Sequence, residues 1–294
     1  GQMDILGADT SGAGGMIGYG KKVVLQNCSN TGNISGKSSV GGLIGYVGKG
    51  ESQIKNCTNQ GKIVSLTNNA GGLIGGMDES ALVNVTDSEN TGSVKANEQC
   101  AGGFVGTGSY QLTIVSGTNT GEIQAGNYAG GLTGICCFSI EKSKNMGKVS
   151  TTDKEGYCGG ILASMTDSKG AVNGSFTIKM CKNSGQVISS GLQAKAGGIL
   201  GGSGAMYAAL TLENCENTGE ITGNYQVGGI AGQILSYETH AIVVRRCTNQ
   251  GTVNGTECGT DVQGEVGGIA GEIQGADEIW VRECVNKGDV LQET

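Results

Sequence analysis

Apolar residues recur along this chain in short runs, and Asn and Gly separate the runs at nearly fixed offsets. Residues 28–45 read CSNTGNISGKSSVGGLIG, and residues 57–75 read CTNQGKIVSLTNNAGGLIG. The first half of this unit occurs nine times. Its Asn falls at Asn30, Asn59, Asn90, Asn119, Asn145, Asn183, Asn217, Asn249 and Asn286, with Gly two residues later and an aliphatic residue two beyond that. A second aliphatic residue stands three positions before the slot that opens each copy: Leu25, Ile54, Val85, Ile114, Ile140, Ile178, Leu212, Val244 and Val281. The other half, of the form Ala-Gly-Gly-Leu, also occurs nine times and alternates with the first, from Ala13–Met16 through Val40–Leu43 to Val266–Ile269.

The Asn-to-Asn spacing is 29, 31, 29, 26, 38, 34, 32 and 37 residues. A period near 30 marks stacked repeats, in which each unit buries its apolar face on its neighbours. Helical repeats are excluded, because Gly costs about 1 kcal/mol relative to Ala inside a helix and occurs every few residues here. Short β-branched runs between Asn/Gly turns predict strands. The expected fold is all-β: a parallel β-solenoid (β-helix) of about nine coils with roughly three short strands each, forming one domain over residues 1–294. One strand ends at the opening slot, one surrounds the aliphatic residue after Asn-x-Gly, and one runs through Gly-Gly-Leu-Ile-Gly. At about 4.8 Å per coil the rod is about 40 Å long. The Asn is expected at a corner with left-handed backbone angles, bonded to its equivalent one coil away, and the Gly two residues later is expected to take φ > 0. Leu43 and Ile44 break strand alternation, since both are apolar and adjacent; a bend or a covering loop would explain them. Insertions near 152–175, 202–211, 233–242 and 254–265 are expected as surface loops.

These segments resemble the GLUG repeat. Its Gly-Leu-x-Gly core reads here Gly42-Leu43-Ile44-Gly45, Gly72-Leu73-Ile74-Gly75 and Gly131-Leu132-Thr133-Gly134. At Ile161-Leu162-Ala163 the closing Gly is lost. The resemblance spans nearly the whole chain. It implies a β-solenoid from a secreted or surface-attached bacterial protein, such as an adhesin or the stalk of an immunoglobulin A-cleaving protease, and no catalytic residues. Gly1 reads as a residue left after trimming, so the chain is expected to be a segment of a larger secreted or surface protein, with flanking domains as neighbours.

Composition narrows the function. Gly is 57 of 294 residues, but a 37% hydrophobic fraction in register argues for order rather than for a disordered low-complexity chain. The net charge is −7, with no Lys/Arg cluster, so nucleic acid and anionic membranes are not expected partners. No apolar run approaches the roughly 20 residues of a membrane helix. A single His240 leaves no basis for a Ser-His-Asp or Cys-His site. No cofactor or metal motif appears, and the chain is expected not to be an enzyme.

The opening slot holds Cys28, Cys57, Cys181, Cys215, Cys247 and Cys284, and elsewhere Ser88, Gly117 and Ser143. Exchange with Ser and Gly favours small buried free thiols over disulfides, and disulfides over metal. Cys136, Cys137 and Cys258 lie off this ladder and are expected to be the more exposed. Candidate ligand-binding residues are Tyr128, Tyr157 and Tyr225, which precede the Gly-Gly strand and offer rings to a sugar. Arg245, Arg246 and Arg282 are candidates for an acidic glycan; they are read as equivalent places two coils apart. Trp280 is expected to cap an open end or meet a further domain. The carboxylate pairs Asp261/Glu265 and Asp277/Glu278 are the only footing for the alternative, a polysaccharide-active β-helix lyase or hydrolase. The favoured reading is a non-catalytic, extracellular bacterial cell-surface module, an adhesin fragment or stalk, whose partner would be a host glycan or protein.

Overall fold

The structure, a computed structural model, describes residues 3–5, 12–109, 111–135, 138–165, 175–204, 208–236, 240–256, 264–275 and 277–293. Its strands stack into five parallel sheets, four of nine strands and one of ten. One coil shows the path. Ala81–Thr86, Glu89–Asn90, Val94–Ala96, Cys100–Gly102 and Val105–Thr107 follow one another, and each pairs with its equivalents in the coils on either side. We number the sheets 1 to 5 in that order. The result is the parallel β-solenoid of about nine coils that the repeat predicts.

Each coil has five strands, not three. The Asn lies in its own two-residue strand (sheet 2), too short for any alternation to be read from sequence. The strand expected through Gly-Gly-Leu-Ile-Gly is broken in two. A Cβ on Gly41 would fall 2.0 Å from the Ile44 carbonyl oxygen, so the chain folds back on itself there and only Gly fits. That bend also accounts for Leu43 and Ile44. Both side chains enter the same apolar cluster and are fully buried.

The cross-section contains two apolar compartments. The larger is filled by Leu43, Ile44, Ile54, Cys57 and their equivalents, and the smaller by Val40, Ile63, Ala70, Ala96 and theirs. The Asn row runs between them. In sequence each Asn lies between a residue of the larger compartment and one of the smaller, and the second Gly of each Gly pair packs on it. A Cβ on Gly42, for example, would stand 2.5 Å from Asn59 Oδ1. Each Asn Nδ2 donates to the carbonyl of the Gly two residues on, as Asn59 does to Gly61 at 2.9 Å. It also donates to the next Asn Oδ1, and these bonds run unbroken from Asn30 to Asn286 at 2.7–2.8 Å. A buried amide is tolerated only when its hydrogen bonds are made, and here the stacking makes them.

The left-handed corner is not at the Asn. It lies at the residue just before the Cys slot: Asn27, Asn56, Asp87, Ser116, Lys142, Met180, Asn214, Arg246 and Glu283 have φ of 50–58°. Where the slot holds Cys or Ser, its side chain braces this corner by donating across it to the carbonyl two residues back. Cys57 Sγ reaches Lys55 O at 3.2 Å, and Ser88 Oγ reaches Thr86 O at 2.8 Å. That shared bond is why Cys and Ser exchange there. The Gly of Asn-x-Gly is present for space rather than for positive φ: a Cβ on Gly61 would sit 1.9 Å from Gly32 O.

Candidate functional site

Because every coil repeats the same interior, differences between coils appear on the outward columns. Two of these meet at the bend between sheets 4 and 5. On sheet 4 the column reads Asn69, Cys100, Tyr128, Tyr157, Lys195, Gln226, Glu265. On sheet 5 it reads Tyr19, Tyr46, Gly76, Thr107, Ile135, Ser164, Gly202, Gln233, Glu272. The two columns touch. Thr107 Oγ1 donates to Asn69 Oδ1 at 2.8 Å, and the Gln226 and Gln233 amides both donate to Glu272 Oε2.

Stacking at strand spacing brings Tyr128 and Tyr157 together, with ring centroids 5.3 Å apart and 18° between planes. Tyr225 is not in that column; Gln226 is. Lys195 joins the three tyrosines, with Nζ 4.6 Å from the Tyr157 centroid and 5.6 Å from that of Tyr225. Burial lowers the Lys195 pKa, against the pull of Glu155 and Glu272. Burial, with Tyr128 and Glu155 adding to it, pushes the Tyr157 hydroxyl up to about 12. The Tyr157 ring also lies over Gly202, where a Cβ would be 2.8 Å from Tyr157 Cδ1. These rings are thus largely engaged with one another, with Lys195 and with the backbone.

A second aromatic pair, Tyr19 and Tyr46, stacks at 6.1 Å with 6° between planes. Sequence reasoning missed it. The available signal was position, since both follow the Gly of the Gly-x-x-Gly segment directly and therefore point outward. Beside Tyr46 opens a cavity of 710 Å³, lined by Asn69, Met77, Asp78, Glu79, Ser80, Thr107 and Ser109 among others. Burial, then Asp78, Tyr19 and Glu79, raise the Tyr46 pKa, so this phenol keeps its proton at neutral pH.

The arginines occupy sheet 1. Arg245 and Arg282 pair directly in adjacent coils, not two coils apart, because the 37-residue step between them is one lengthened repeat. Arg245 Nη2 is 2.8 Å from Glu213 Oε2, and Arg246 binds the same carboxylate. These bonds, Arg245 first, hold Glu213 below the usual carboxylate range although burial opposes it. Arg282 lies 3.5 Å over the Trp280 ring. A hollow of 350 Å³ there is lined by Val243, Trp280 and the three arginines with Glu283. Glu213 neutralises part of the expected basic patch. Trp280 stands on the outer face of sheet 1 beside Val243 rather than across the end of the rod.

The six ladder cysteines are free thiols, as is Cys158. Burial raises Cys57, and pushes Cys158 up to about 12. Neighbouring thiols raise Cys215 and Cys247 further. Cys136, Cys137, Cys258 and Asp261 lie outside the described residues. Glu278 accepts the Trp280 indole N–H at 3.1 Å. Among the described residues no group of three His, Cys, Asp or Glu side chains is placed to hold a metal ion.

The GLUG motif family model matches residues 36–64. The chain carries the GLUG motif. The matched stretch includes the bend at Gly41–Ile44 and the Asn59 rung, so the GLUG core is the part of the coil where the backbone folds back on itself. A search of curated proteins finds no match. Among solved structures, the chain is similar to a putative immunoglobulin A1 protease from Bacteroides ovatus. The two are 17% identical with a TM-score of 0.50, over 95% of this chain and 77% of that one. At that identity the likeness supports the β-solenoid fold of this GLUG-bearing chain.

Proposed function

We propose that this chain is a non-catalytic repeat module of a bacterial surface protein, serving as an adhesin segment or stalk. One observation carries the reading. The residues that recur along the coils are used to shape and stack them: Asn in the amide row between coils, Cys or Ser across the corner in every coil except the one with Gly117, Gly where backbones touch. The repeat thus specifies a rod, and the outward columns are left to vary. The GLUG match and the likeness to a bacterial protein titled as a protease support an extracellular setting. The test is a binding screen of the purified chain against mucin, matrix proteins and host glycans, run beside an assay for reducing ends released from polysaccharides. Saturable binding without release supports an adhesin. No binding and no release leaves the stalk. Release of reducing ends would overturn the non-catalytic reading.

A further inference from the structure

We propose that the cavity beside Tyr46 binds a neutral sugar ring. The inference rests on the adhesin branch of the function proposed above and adds a site and a ligand class.

Two glycines in the outward column of sheet 5 have different neighbours. Gly202 has no side chain, and the ring of Tyr157, one coil away on sheet 4, lies over it. Gly76 is the same position in another coil. Its counterpart of Tyr157 is Ser39, the residue before Val40, and a Cβ on Gly76 would stand 3.4 Å from Ser39 Oγ. Among the described residues the nearest ring to Gly76 is that of Tyr46, whose Cδ2 lies 3.5 Å from where a Cβ would stand. Tyr46 and Thr107 flank it in the column, about 9–10 Å apart, twice the strand spacing. Both line the 710 Å³ cavity, whose volume is within the ordinary size range of small-molecule sites.

The chemistry of the walls selects the ligand. Tyr19 stacks against Tyr46, so the pair is fixed before any ligand arrives. The C–H face of a pyranose suits the electron-rich face of an aromatic ring. The rim carries Asp78, Glu79, Asn69, Thr107 and Ser80, which is rich in acceptors for hydroxyl donors. Asp78 Oδ1 already accepts the Ser80 backbone N–H at 2.8 Å, which fixes the rim turn. Two carboxylates beside the ring repel sialic and uronic acids. The site therefore takes neutral hexoses and not acidic ones.

The test is a glycan microarray probed with the whole chain, followed by titration of the strongest neutral glycan and its sialylated form. Gly76→Gln sets a long amide side chain between Tyr46 and Thr107, two walls of the cavity. Gln233 occupies the equivalent place in another coil, and the nearest atoms to a Cβ at Gly76 are 3.4–3.5 Å away, so this variant folds with an unchanged melting temperature. Tyr46→Ala removes the platform. The expected result is a neutral glycan bound by the wild type, with Kd at least tenfold weaker in both variants and in the sialylated form. Neutral-glycan binding untouched by Gly76→Gln would overturn this site while leaving an adhesin with its site elsewhere. A preference for acidic glycans, or for a protein ligand that survives deglycosylation, would overturn the ligand class. No binding to any probe would overturn both the site and the adhesin branch.

Discussion

Phe104 and Gly117 should behave as one unit. Phe104 occupies the slot held by Leu73 and Leu132 in the adjacent coils and is fully buried. Gly117 occupies the slot held elsewhere by Cys or Ser. A Cβ on Gly117 would stand 2.7 and 2.9 Å from Phe104 Cε2 and Cζ, and 3.1 Å from Ile114 Cγ2. Optimal carbon contacts are about 3.5–4.0 Å, so the ring would have to move by about 1 Å in a packed interior. Gly117→Ser alone should therefore cost about 1–3 kcal/mol, the usual range for overpacking. Phe104→Leu alone leaves a void beside Gly117 and should cost about 1–2 kcal/mol, less than the 3–5 kcal/mol of full truncation to Ala. The double variant recreates the Leu73/Ser88 pair of the neighbouring coil, including the hydroxyl bond across the corner. It should lie within about 1 kcal/mol of wild type, so most of the about 2–5 kcal/mol of summed single costs returns as coupling. Repeat arrays unfold coil by coil as well as globally, so the assay is native-state hydrogen exchange on peptides covering residues 104–118, with urea midpoints beside it. If the two single costs simply add, within about 0.5 kcal/mol, the size-matching argument is wrong.

Asn119→Ala should cost about 2–5 kcal/mol in urea unfolding, because it strands the Asn90 amide and the Asn145 carbonyl oxygen in a buried row. Met180→Gly should raise stability by about 0.5–1 kcal/mol, since Met180 is exposed and holds φ of 53°, where Gly avoids the Cβ penalty; a lower melting temperature would contradict this. Glu213 has a folded pKa below its unfolded value, so its contribution is present above about pH 4.5 and is lost as pH falls through the folded pKa. Glu213→Gln should then melt below wild type at pH 7 and level with it near pH 3; an equal gap at both pH values would remove the arginine pair as the cause. Cys158, with a pKa of about 12 and no exposure, should resist iodoacetamide at pH 8 in the folded chain and react after unfolding, as mass mapping would show.

The interior was legible in the sequence because a solenoid writes each contact once per coil. The nine Asn positions, the aliphatic slots and the small Cys/Ser/Gly slot recur with the period of the fold, and each becomes a stacked row. What the sequence concealed was how the backbone turns. A two-residue strand at Asn90 has no alternation, and glycines look alike whether they supply positive φ or merely room, so sequence alone points to Asn-x-Gly as the corner. In fact Lys142, Met180, Arg246 and Glu283 hold the left-handed angle, residue types that give no warning of it. At these four the Cys or Ser that comes next bonds across the corner and braces it, whereas Ser116, followed by Gly117, holds the same angle without that bond.

The outward columns obey a different logic, and for that reason periodicity reveals little about them. Tyr157 and Tyr128 were visible as aromatic residues before a Gly pair, yet the structure turns their faces to each other, to Gly202 and to Lys195. Tyr46 carried no such flag and has the open cavity. The difference lies in what stands one coil away, 45 residues distant in sequence for the ring over Gly202 and 37 for the serine hydroxyl beside Gly76. In a stacked-repeat protein, then, the positions that fail to repeat are where binding chemistry should be sought. They are found by aligning each coil on its neighbours and asking which side chain is missing.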